Sequence, residues 1–251
     1  MLIDSHCHIH ASEFYPENRE DVYRRAIDSN TQMIVVGTSE ADSTEAVEFA
    51  SHHEGVWVVV GVHPHDTQHG WEKIEQILKE KPEKLIGIGE IGLDYFYNNS
   101  PRDVQIRALE EQLSWAMKYT LPVSFHVRDA YDDFWPIFDN FSGIKGVLHC
   151  FTDTPATLAK ALSRGLYIGV NGISTFTKDS TQQAMFSSIP LERILLETDA
   201  PFLTPSPLRG TINEPVNVVE VAKQQSKVRN LPLTTVICAT TANTQTLFAL
   251  N

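Results

Sequence analysis

The sequence predicts an α/β fold, a (β/α)8 TIM-like barrel, on three observations. Short apolar or β-branched runs alternate with longer segments of helical periodicity along the whole chain. The runs number eight, and they are continuously apolar, as suits parallel strands covered on both faces. An open doubly wound sheet is the competing architecture, but the glycine-rich turn that usually follows its first strand is missing, and His6-Cys7-His8 stands in that place. Residues 1–251 read as a single domain, because no linker, tandem repeat or low-complexity stretch interrupts the alternation.

The first run covers residues 2–6 and is followed by a helix at about 16–29, with Val22, Tyr23, Ala26 and Ile27 at helical spacing. The second run, 32–37, leads into a helix carrying Ala46, Val47, Phe49 and Ala50. The third, 56–61, passes into Val62-His63-Pro64-His65 and then a helix around 71–79. The fourth, 85–90, continues as Ile91-Gly92-Leu93-Asp94-Tyr95 and precedes a long helix at about 101–119, whose expected buried side is Ile106, Leu109, Leu113 and Met117. The fifth to eighth runs are 121–126, 143–149, 166–170 and 193–199, and helices near 216–226 and 233–250 follow them. The proline-rich stretch 201–215 reads as a functional loop after the eighth strand.

Composition narrows the classes of function. The formal net charge of −12 argues against a protein that coats nucleic acid non-specifically, which needs a basic face. It leaves room for an enzyme that reaches nucleic acid through bound cations, because a divalent site itself requires carboxylates. Three widely spaced cysteines, Cys7, Cys150 and Cys238, suggest reduced thiols rather than a disulfide framework. With no secretory leader pattern and no membrane-length apolar run, a cytoplasmic protein with no membrane association and no obligate protein partner is expected.

The chemistry is carried by polar residues at the ends of the runs. His6 and His8 lie two apart, so an extended strand turns both to one face and Cys7 to the other. His63 and His65 follow the third run; Glu90, His126, His149 and Asp199 end the fourth, fifth, sixth and eighth. In a barrel these ends converge, and imidazoles with two carboxylates suffice for two divalent ions bridged by a carboxylate. Glu197 shares a strand face with Asp199 and is a candidate supporting partner for a ligand. Blander roles are assigned to Asp94 (a cap for the loop after the fourth run) and to His10, His52, His53 and His69 (solvated).

The segments DSHCH, GVHPH, GEIGLDY, FHVR, HCF, ETDAP and RGTINEP, in this order and spacing, resemble the TatD family of metal-dependent deoxyribonucleases within the amidohydrolase superfamily. The resemblance implies a TIM-like barrel holding two divalent ions (Mg, Mn or Zn). His6, His8, Glu90 and Asp199 would hold one and Glu90, His126 and His149 the other, with Glu90 bridging. It implies that Asp199 takes the proton of a metal-activated water, and that single-stranded DNA is the substrate, cut from 3′ to 5′. His63, at the mouth of the site, and His65, Arg128 and Arg209 become candidate contacts for phosphate or leaving oxygen. One departure concerns grip on a polyanion: Leu208, Thr211 and Ile212 stand where many relatives carry a histidine and basic residues. Exposed aromatics for stacking bases are sought among Tyr95, Phe96, Tyr97, Phe151 and Phe176. The competing functions are hydrolysis of a carboxylic ester, amide or lactone at the same ions, and metal-dependent binding without turnover.

Overall fold

A computed structural model describes residues 1–250. Eight strands follow chain order, β1 (Leu2–Cys7), β2 (Thr31–Val36), β3 (Val56–Val60), β4 (Leu85–Asp94), β5 (Val123–Arg128), β6 (Gly146–Leu148), β7 (Tyr167–Val170) and β8 (Ile194–Leu196). The β1–β2, β3–β4, β4–β5, β5–β6 and β7–β8 pairs are parallel. Helices α1 (Arg19–Asp28), α2 (Glu40–His52), α3 (Glu72–Glu80), α4 (Arg102–Tyr119), α5 (Tyr131–Asp139), α6 (Pro155–Ser163), α7 (Ile173–Phe176), α8 (Ser180–Ser188), α9 (Val218–Arg229) and α10 (Leu233–Phe248) alternate with them. This is the (β/α)8 fold class expected from the sequence. The doubly wound alternative fails, because its strand order reverses at a switch point and this order does not.

The chain packs as two compact units. In the first, formed by Met1–Val35 and the chain from His149 onward, β1 meets the segment after β8: Cys7 bridges to Ala200 in parallel. Its buried core includes Ile3, Met33, Ile34, Ile168 and Leu195. In the second, Val36–Leu148, β3 to β6 pair in sequence beneath α2, α4 and α5. Here α5 seats Phe134 and Phe138 against Phe125 of β5, with ring centroids 5.2 and 5.7 Å apart in edge-to-face geometry.

Three local readings change. The fourth run and its continuation form one ten-residue strand, and β5 extends to Arg128, because the two strands stay paired through Asp94 and Arg128. Helix α4 buries Leu109 and Leu113 as expected, but Met117 is 46% exposed and Ile106 only half-buried. Gln105 and Gln112 are buried instead, each bonded to strand-end backbone. Helices α5 to α8, which pattern alone did not delimit, fill the positions after β5, β6 and β7.

Candidate metal clusters

In the first unit, three imidazoles gather around one carboxylate oxygen. Asp199 Oδ1 lies 3.4 Å from His8 Nε2 and 3.8 Å from both His6 Nε2 and His149 Nε2. The two Nε2 atoms of His6 and His8 are 3.3 Å apart, and the His6 and His149 rings stack at 3.5 Å. Backbone bonds produce the convergence: Asp199 N–H donates to the His6 carbonyl at 2.9 Å, and His8 N–H donates to the Ala200 carbonyl at 2.7 Å. Asp199 holds a left-handed φ of +57°, which an aspartate tolerates better than most residues. A one-residue bulge in β1, between Asp4 and Cys7, resets the alternation at Ser5 and His6. Cys7 still points away, with Sγ 3.6 Å from the Ile34 carbonyl.

Buried polar groups support this cluster. Asp4 accepts the Thr198 N–H at 2.8 Å and the Thr198 hydroxyl at 2.5 Å, linking the strand that carries His6 to the residue before Asp199. Burial pushes the Asp4 carboxyl well above the usual range, although the Thr198 bonds oppose the shift. Glu197 Oε1 lies 3.1 Å from His149 Nδ1 and accepts the Cys150 N–H at 2.7 Å. Gly169 leaves the room for that carboxylate, since a Cβ there would strike Glu197 Oε2. Burial raises the Asp199 carboxyl, but His149, His8 and His6 outweigh it and hold the group below its usual range.

The second unit holds a different cluster. His126 lies between two carboxylates, with Nδ1 2.9 Å from Glu90 Oε1 and Nε2 2.9 Å from Asp94 Oδ2. His65 Nε2 meets the same Asp94 oxygen at 3.0 Å, and His63 Nε2 faces Glu90 Oε1 at 3.6 Å. A bulge in β4 between Ile88 and Ile91 re-aims Glu90. Gly92 lets β4 approach β5, because any side chain there would collide with the His126 carbonyl.

Helix side chains fix the loop before His63. Gln112 brackets Val62 at its N–H and carbonyl, and Ser43 does the same at Gly61. His63 Nδ1 accepts the His65 N–H at 3.2 Å, so a neutral His63 carries its proton on Nε2 and is a donor there rather than a ligand. Burial, reinforced by His126, pushes the His63 pKa well below the ordinary range. Asp94 is pushed up by burial, but bonds from His126, His65 and Tyr97 hold it far below the usual carboxylate range.

The remaining sequence candidates lie on aromatic faces. The Arg128 guanidinium sits 3.9 Å over the Phe96 ring and 4.9 Å from that of Tyr97, both rings being 55% exposed. Arg209 sits 3.9 Å over Phe176 and donates to the Thr204 carbonyl. Phe151 is buried and offers no stacking surface. His10 is buried rather than solvated, and His53 stacks on Phe49 at 3.9 Å; burial by neighbouring elements was not visible in their local sequence. The Asn-Glu-Pro triplet has a structural part: buried Asn213 donates to the Thr198 and Phe202 carbonyls, and Glu214 takes both arms of Arg25 at 2.8 Å. Sequence reading missed the network roles of Asp4, Asp94, Gln105, Gln112 and Thr198, for which the available signal was a polar residue inside an apolar period.

The donor spacings fit divalent ions. Two donors each roughly 2.1 Å from one ion, at bond angles of about 90–110°, lie roughly 3.0–3.4 Å apart. The His6–His8 and His8–Asp199 separations of 3.3 and 3.4 Å fall in that range, the His6–Asp199 and His149–Asp199 separations of 3.8 Å lie beyond it, and in the second unit His126 and Glu90 stand 2.9 Å apart. A family model described as TatD related DNase matches residues 3–249. The chain belongs to the TatD DNase family.

Its relatives match end to end. This TatD-family chain is 32% identical over 255 residues to the uncharacterized metal-dependent hydrolase YabD of Bacillus subtilis, with 100% of both chains covered. It is 34% identical over 259 residues to the 3′-5′ ssDNA/RNA exonuclease TatD of Cronobacter sakazakii, covering 100% of this chain and 98% of that one. The crystal structure of YjjV, a TatD homolog from Escherichia coli, superposes with a TM-score of 0.92 at 28% identity, over 100% of this chain and 98% of the other. The TatD-family chain is thus a metal-dependent hydrolase of ester bonds. None of its described helices is long and apolar enough to cross a membrane.

Proposed function

We propose that this enzyme is a deoxyribonuclease that shortens single-stranded DNA from the 3′ end. The observation that carries the reading is the set of three imidazoles spaced as ligands around Asp199 Oδ1. Relatives named 3′-5′ ssDNA/RNA exonuclease support the choice of substrate. The reading takes two divalent ions (Mg, Mn or Zn), with the ligand sets that the family resemblance implies: His6, His8, Glu90 and Asp199 for one, Glu90, His126 and His149 for the other. Such ions supply Lewis acidity and lower the pKa of a water toward neutrality.

The residues of the chain do the rest. Asp199, kept ionised by its imidazole neighbours, accepts the proton of the attacking water. His63 donates from Nε2 to the phosphate or to the leaving oxygen. Glu197 orients His149. Arg128, Arg209 and His65 are the candidate phosphate contacts, and the exposed Leu208 and Ile212 weaken the grip that basic residues would give. Residues 1–251 are taken as one catalytic domain, and the reduced thiols Cys7, Cys150 and Cys238 support a cytoplasmic setting.

The test is a metal-reconstituted assay on single-stranded DNA labelled at either end. A 5′ label should give a ladder of shortened strands while a 3′ label leaves at once as nucleotide, and Asp199→Asn should abolish both. Intact DNA with every divalent ion tried, together with turnover of a simple carboxylic ester, would overturn the substrate.

A further inference from the structure

Asp94 ends β4 fully buried, and every lone-pair direction of its carboxylate is in use. Oδ1 accepts the backbone N–H groups of Phe96 and Tyr97 at 3.0 and 2.9 Å, and Oδ2 faces Nε2 of His65 and of His126 at 3.0 and 2.9 Å. Its own backbone is clamped by Gln105 of α4, which accepts the Asp94 N–H at 2.8 Å and donates to the Asp94 carbonyl at 3.2 Å. The carboxylate therefore has no freedom to turn toward other partners.

A carboxylate oxygen accepts and does not donate, so the imidazole nitrogen facing it carries the proton. Both His126 nitrogens face a carboxylate at 2.9 Å, and a neutral ring donates to only one of them. The Asp94 carboxylate, pinned by the Phe96 and Tyr97 N–H groups, is the fixed acceptor, and a proton on Nε2 leaves the lone pair of Nδ1 facing Glu90 Oε1. Two lone pairs at that distance repel each other unless a cation lies between them. We propose that Asp94 is the positioning residue of the second cluster. It fixes the Nε2–H tautomer of His126, makes Nδ1 the ligand atom, and ties the Phe96–Tyr97 segment to that imidazole through its other oxygen. The assignment of Nδ1 as ligand rests on the proposed ion at Glu90 and His126; the tautomer does not.

Asp94→Asn separates the two halves of the role. The amide oxygen can keep the Phe96 and Tyr97 N–H groups, but its NH2 then faces Nε2 with donor against donor. In the zinc-reconstituted protein, long-range proton–nitrogen NMR should show the His126 proton on Nε2 and the ligand shift on Nδ1. In Asp94→Asn, affinity for the ion at His126 should fall by about 10- to 100-fold. The ion at His6, His8 and Asp199 should be held as before, and amide exchange at Phe96 and Tyr97 should be unchanged. Asp94→Ala should in addition speed that exchange. A proton on Nδ1 with Nε2 ligated, or Asp94→Asn holding its ions as tightly as the parent, overturns the proposal. Should the parent take up no ion at His126, the proposed ion is what fails. The metal-free protein at alkaline pH then decides: a proton on Nε2 that moves to Nδ1 in Asp94→Asn supports the role, and a proton on Nδ1 in the parent overturns it.

Discussion

The two clusters use the same residue types in opposite ways. In the first unit, imidazole nitrogens stand 3.4–3.8 Å from Asp199 Oδ1, too far for good hydrogen bonds and close to the spacing of ligands around an ion. In the second, Asp94 Oδ2 meets Nε2 of His126 and of His65 at 2.9 and 3.0 Å and anchors a hydrogen-bonded net. The first cluster is held from behind, by Asp4 on Thr198 and Glu197 beside His149, which leaves its candidate ligands facing one another. The second is held from within, by Asp94 on His126 and His65. Similar ligands can thus be preorganised by outer partners or by one shared partner, and the two designs should fail differently.

Removing the carboxylate at the centre of the first cluster should have the largest effect. Asp199→Asn should lower kcat by about 10²- to 10⁴-fold, the range of a lost general base, with secondary structure by circular dichroism unchanged. Residual turnover within twofold of the parent would show that Asp199 is not the proton acceptor. Glu197→Gln keeps an acceptor for the Cys150 N–H but loses the charge beside His149. Competition with a chelator should read about 10- to 100-fold weaker metal binding. Equal binding would mean that His149 needs no outer carboxylate, and the contrast between the clusters would collapse.

The next effect is on stability. Gln105→Leu leaves the buried N–H and carbonyl of Asp94 unpaired and should cost about 1–3 kcal/mol in urea unfolding. A neutral result would mean that the second cluster does not depend on its backbone clamp. Arg25→Ala serves as the small-effect reference. Its bidentate pair with Glu214 is largely solvent-exposed and should contribute only about 0–1 kcal/mol. A larger loss would make the Asn-Glu-Pro segment a structural strut of the first unit.

Much of the candidate site was legible because strand ends are marked in the sequence. An apolar run that stops at a histidine or carboxylate names a residue and its position, and His6, His8, Glu90, His126, His149 and Asp199 were all found that way. Asp94 was read as a loop cap, and it is one: its Oδ1 takes the N–H groups of Phe96 and Tyr97. Its other oxygen was invisible, because His65 lies 29 and His126 32 residues away and meets it only in the fold. Gln105 and Gln112 were passed over for the apolar residues Ile106 and Met117. Periodicity scores hydrophobicity, whereas a buried backbone N–H or carbonyl at a strand end needs a polar partner.

By itself the sequence determined the (β/α)8 class, the strand order and the candidate ligand residues, because hydrophobic period and strand-end chemistry are local properties. The tertiary structure alone decided which nitrogen of each imidazole faces which oxygen. His6 and His8 gather with His149 around Asp199 through backbone bonds between residues almost two hundred positions apart. His126 turns Nδ1 toward Glu90 because a carboxylate buried by other elements takes its Nε2. Orientation of this kind is set by desolvated hydrogen bonds between distant segments, which no local pattern encodes.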